Sequence, residues 1–105
     1  MKISELKTLL DATGYPVAYR AFRGKPSFPC IVILQTSSNN FKADNSVYHK
    51  ESGCRIELYT EDKDLTAEAN VEAALAGIPW DADETYIESE QLYEKIYEIG
   101  GINNG

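Results

Sequence analysis

The chain has 105 residues, 43% of them hydrophobic and 26% charged, which suits one domain with one core and argues against wholesale disorder. No apolar run approaches the roughly 20 residues that span a bilayer, and a net charge of −7 argues against nucleic acid as the main partner. Residues 1–60 hold eight Lys and Arg against five Asp and Glu, whereas residues 61–105 hold two against twelve. Halves of opposite sign can complement each other between copies, although an acidic half also serves solubility.

Ile3, Leu6 and Leu10 recur at helical spacing, with Ser4 as cap and Glu5 at the positive end of the helix dipole. They predict a helix over 3–12 that Gly14 and Pro16 stop. Val17 to Phe22 reads as an edge strand, followed by a loop at Arg23-Gly24-Lys25-Pro26. Pro26 and Pro29 set an extended lead into Cys30-Ile31-Val32-Ile33-Leu34, a short apolar run that suits a strand buried on both faces. A polar loop over 36–45 follows, and Phe41 is the one aromatic in it.

Cys54 to Thr60 alternates, with Cys54, Ile56 and Leu58 on one side and Arg55, Glu57 and Tyr59 on the other, so this strand has a wet face. Ser46–Lys50 and Cys54–Thr60 flank Glu51-Ser52-Gly53 as a hairpin, with either Lys50 or Glu51 paired to Cys54. The second register, which sets Val47 against Leu58, is slightly preferred. Asp64 caps a second helix whose stripe is Ala67, Val71, Ala74, Leu75 and Ile78, with Glu68 and Glu72 outward. Gly77 and Pro79 end it, and Trp80–Asp83 is a linker. Glu84–Ser89 and Gln91–Ile99 form a closing hairpin; the second segment also fits a helix, but its β-branched and aromatic residues favour a strand. Residues 1–99 then make a single α+β domain and residues 100–105 a fraying tail. The order is α-β-β-β-α-β-β, an antiparallel or mixed sheet with two helices on one face.

Few residues invite chemistry. His49 is the sole histidine and only Cys54 is near it in the chain, with no third group to orient the pair. Cys30 and Cys54 are expected as buried, reduced thiols in a cytoplasmic chain. Neither they nor His49 have zinc-ligand spacing, and Asp62, Asp64 and Glu68 lack the glycine of a calcium loop. Gly100-Gly101 precedes no helix and makes no phosphate loop. The expectation is a protein without catalytic site, metal or cofactor. Phe41, Tyr48, Tyr59, Trp80, Tyr86, Tyr93 and Tyr97 exceed what one small core needs. They point either to a surface that meets other proteins or to a plug on the sheet's second face.

Several segments, in order and spacing, carry a resemblance: Thr13-Gly14-Tyr15-Pro16-Val17-Ala18-Tyr19, Pro29-Cys30-Ile31-Val32, Ala43-Asp44-Asn45-Ser46-Val47-Tyr48, and Arg55-Ile56-Glu57-Leu58-Tyr59-Thr60 followed by Lys63-Asp64. Over roughly 9–99 the chain resembles the small tail-completion, or head-to-tail joining, proteins of long-tailed phages and prophages of Gram-positive bacteria. The resemblance implies an α+β tail terminator whose copies form a ring, typically a hexamer, that closes the tail tube and receives the head connector. Its place would be the host cytoplasm during assembly and then the virion. It implies an interface with a neighbouring subunit or tail component at Phe41, Lys42, Asp44 and Asn45, with Tyr48 and Tyr59 beside them. DNA passing through such a ring would meet Arg20, Arg23, Lys25 or Lys42 if it touched the protein; solvated surface charge is their default reading. Another neck component, an adaptor or stopper, fits the same pattern, and so does a small acidic protein that binds a host enzyme.

Overall fold

The computed structural model describes residues 1–36 and 51–103. In chain order the elements are α1 (Ile3–Asp11), β1 (Val17–Tyr19), β2 (Cys30–Thr36), β3 (Glu51–Thr60), α2 (Leu65–Ala74), β4 (Asp81–Ile87) and β5 (Leu92–Asn103). The strands form one mixed five-stranded sheet in the order β1-β2-β3-β5-β4, in which only β1 and β2 run parallel. The element order and the α+β class are those expected from the sequence.

Both helices lie on one face. Directly paired residues share a face, and here Ile33, Ile56 and Tyr97 line up across β2, β3 and β5. They pack with Leu6 and Leu10 of α1 and with Ala67, Val71 and Leu75 at α2 into a core that solvent hardly reaches. Fully burying one Leu or Ile side chain contributes roughly 1.5–3 kcal/mol, so this layer is the main source of stability.

Local signals act where they were expected, with exceptions. Asp64 caps α2, its carboxylate accepting from the Ala67 N–H at 2.9 Å. At α1 the cap is Lys2 rather than Ser4; Ser4 lies inside the helix, and Glu5 reaches back to accept from the Lys2 N–H at 2.8 Å. Gly14 adopts φ +85° beyond that helix, a conformation glycine accepts without steric cost.

The expected turn at Glu51-Ser52-Gly53 is not there. All three belong to β3, where Gly53 pairs with Thr36 and Glu51 with Asn103, and a register shift separates Ser52 from Cys54. Glycine thus serves a bulge between two neighbouring strands instead of a hairpin tip. The partner proposed for that hairpin, 46–50, lies outside the described residues. The closing hairpin does form, with β4 starting at Asp81 inside the expected linker and Ile87 pairing with Leu92.

The expected end of the domain at Ile99 is also overturned. The strand β5 runs on to Asn103, and Ile102 is buried in the core as the apolar anchor of this glycine-rich end. Glu68 and Glu72 do not simply face solvent. Lys63 pairs with Glu68 at 2.6 Å and with Glu84, and Lys95 approaches Glu68 at 3.5 Å. The Tyr97 hydroxyl donates to Glu72 at 2.8 Å. These contacts tie α2 to β4 and β5.

Candidate functional site

Of the residues expected at an interface, Phe41, Lys42, Asp44, Asn45 and Tyr48 lie outside the described residues, as does His49. Tyr59 is described. It stands on the face of the sheet away from the helices, paired with Cys30 on β2 and Glu94 on β5. Its hydroxyl is 2.7 Å from Glu57 Oε1 and 3.2 Å from Glu94 Oε2.

A phenol has one proton, so it cannot donate fully to both carboxylates. Glu57 Oε1, the nearer, accepts the shorter bond and Glu94 Oε2 the longer, so the two carboxylates share one donor. Burial, with the Glu57 charge second, pushes the Glu94 carboxyl above the ordinary range, while the bond from Tyr59 and the Arg55 charge pull against it. Burial and the same two glutamates push the Tyr59 hydroxyl far up, so it remains a donor. Arg55 is the one cation at the pairing positions of β3 and β5 on this face. Its Nη2 lies 3.4 Å from Glu98 and its Nη1 3.9 Å from Glu57, and its buried Nε has no partner.

The segment from Arg20 to Phe28 runs along this face and leaves an open hollow of about 560 Å³ beside the cluster, lined by Phe22, Phe28, Val32, Glu57, Tyr59 and Leu92 among others. Its walls mix aromatic and apolar side chains with Arg20, two carboxylates, Glu57 and Glu90, and the Tyr59 phenol. Cys30 also borders it. Both cysteines are free and buried, Cys30 on this face and Cys54 on the helix side. Their opposite faces rule out a disulfide within the chain. Burial pushes both thiols up to about 11, so few are thiolates at neutral pH. Among the described residues no three His, Cys, Asp or Glu side chains are placed to hold a metal ion.

Beyond this cluster, the sheet ends in two unlike edges. At one end is β1, only three residues long and followed by exposed Arg20 and Arg23. At the other is β4, exposed along nearly its whole length and carrying Asp81, Asp83 and Glu84. Three of the large hydrophobic side chains that reach solvent sit at these edges: Tyr19 at β1, and Trp80 and Tyr86 at β4. Trp80 meets the buried Tyr97 ring edge-on at 5.1 Å, and Tyr86 meets Tyr93 at 4.8 Å. The aromatic surplus is therefore divided. Tyr97 belongs to the core, correcting its place among the exposed rings, while the edge aromatics are only partly covered.

The Glu57–Tyr59–Glu94 cluster escaped sequence reasoning because it joins two strands whose register is set by tertiary pairing. The alternation that put Glu57 and Tyr59 on one side was its only trace. No family model matches the chain, and no curated protein matches it.

Proposed function

We propose that this chain is a tail-completion protein of a phage or prophage, a non-enzymatic subunit whose copies join head to tail into a ring that closes the tail tube. The observation that carries the reading is the separation of charge across the sheet. Arg20 and Arg23 leave one edge strand, and Asp81, Asp83 and Glu84 occupy the other. Unlike edges on one subunit favour a heterologous contact, which closes into a ring when the rotation allows. The face opposite the helices, with Arg55, Tyr59 and Glu98 on it, gives such a ring a polar surface for the tail tube or the head connector. On this reading the protein works in the host cytoplasm during assembly and stays in the virion.

The test is light scattering across a wide concentration range, with electron microscopy of the protein mixed with purified tail tubes. Rings or capped tube ends are expected. A protein that stays monomeric and leaves tube ends bare overturns the reading in favour of a neck adaptor or a host-binding protein.

A further inference from the structure

We infer that neighbouring copies join by strand addition, the outer side of β1 in one copy pairing antiparallel with the outer side of β4 in the next. The ring then carries one continuous sheet. This rests on the head-to-tail reading and names its interface.

Three features of the edges agree. The first is strand direction. From β1 through β2, β3 and β5 to β4 the sense changes three times, so β4 runs opposite to β1. Rotation about an axis along the strands preserves each direction, so the meeting edges are antiparallel, the pairing that needs no crossover.

The second is hydrogen-bond parity. Ile31 N–H donates to Pro16 and Arg20 N–H donates to Ile33, so residues 16, 18 and 20 turn toward β2, leaving Val17 and Tyr19 to face out. On β4 the Glu84 N–H is bonded to its neighbour Asp83's carboxylate, 2.9 Å away, which marks Ala82, Glu84 and Tyr86 as the outward set. One row runs Tyr19, Ile33, Ile56, Tyr97, Ala82, and another Val17, Ile31, Leu58, Lys95, Glu84. With the strands set along the axis of a closed ring there is no rise from copy to copy, so a row in one copy continues at the same level in the next. Outward Tyr19 then meets outward Ala82, and Val17 meets Glu84; the Tyr19 carbonyl, which accepts from the Ala21 N–H at 2.9 Å, and the Glu84 N–H, held by Asp83, exchange these local partners for the seam.

The third is side-chain complementarity at that same register. Arg20 stands level with the row Leu34, Arg55, Glu98, Asp81, so it meets Asp81 of the next copy. Tyr19, 43% exposed, settles over Ala82, the smallest side chain of β4, and near the partly exposed Trp80. Pairing of β4 with another β4 would gather three carboxylates from each copy along one seam, which selects the unlike edge. A three-residue seam is weak alone, and ring closure makes each further contact effectively intramolecular.

The experiment uses the full chain with Ala18→Cys and Asp83→Cys together, a pair the register brings face to face at the closer, non-hydrogen-bonded spacing. Mild oxidation should give a ladder of disulfide-linked multimers, whereas Ala18→Cys with Glu88→Cys should not. In parallel, Arg20→Asp and Asp81→Arg should each lose self-association by tenfold or more, and an equal mixture of the two should recover it in alternating rings. Aspartate tolerates the left-handed backbone of residue 20, φ +76°. Rings by light scattering without the ladder, or a mixture that fails to recover, overturn the edge pairing and leave the head-to-tail reading intact. A wild-type chain that is monomeric with and without tail tubes overturns both.

Discussion

The two faces of the sheet use the same strands for opposite ends. Toward the helices, Ile56 is closed off between Ile33 and Tyr97, whereas one residue further along β3 Glu57 looks into the open hollow with Tyr59. The helix face gains from excluding water and tolerates no loss of volume. The other face holds charge partly out of water, with Glu57 buried and sharing the Tyr59 hydroxyl with Glu94. It teaches that stability and recognition are separated by the pleat of single strands rather than by separate regions of chain.

Substitutions at matched positions sharpen this contrast. Ile56→Ala, on the sealed face, should cost about 4 kcal/mol in denaturant unfolding, combining lost transfer energy with the cavity left behind. Gly53→Ala comes next. A Cβ there would lie 2.7 Å from Thr36 Oγ1 and 3.1 Å from the Ile99 carbonyl oxygen, so the Thr36 side chain and the β5 backbone must give way, with a loss of about 2 kcal/mol by the same measurement. Ile96→Ala removes the same side chain as the first change but from the half-buried second face, and about 1 kcal/mol is expected.

The smallest effect has the opposite sign. Glu94 has its carboxyl raised in the fold, so the native state holds its proton more tightly than the unfolded chain does. That contribution is complete below the unfolded carboxyl range and is lost as pH rises through the folded value. Glu94→Gln should thus stabilise the protein at neutral pH by about 0.5 kcal/mol, the scale of a partly exposed charge pair, and the gain should vanish in acid. Thermal melts of both proteins from acid to neutral pH check it; an equal gain throughout would mean the Glu57 charge is not felt at Glu94.

Much of this architecture was legible in local signals. The alternation in β3, the apolar run in β2 and the Asp64 cap each depend on neighbours in sequence, and each holds. The misreadings share a cause. Glu51-Ser52-Gly53 and Gly100-Gly101 look like chain breaks because glycine costs entropy in a strand, yet their glycines sit opposite one another in a register shift that the flanking pairs Ser52–Ile102 and Cys54–Ile99 hold in place. Glu72 was expected on the wet side, and only the arrival of Tyr97 from β5 gives it a partner. The candidate site was less legible still. Its carboxylates meet through register, and the match of β1 to β4 depends on strand order, which no local pattern encodes.

Trp80 is the single tryptophan of the chain, and its ring rests edge-on against Tyr97 where α2 hands over to β4. The molecule therefore contains its own optical reporter. Ultraviolet light absorbed by Tyr97 passes to an indole 5.1 Å away, so loosening of the hairpin from the core should restore tyrosine emission and redden that of the tryptophan. Because the same indole stands at the β4 edge, its colour should also change when a second subunit shields it, giving assembly a signal that needs no label.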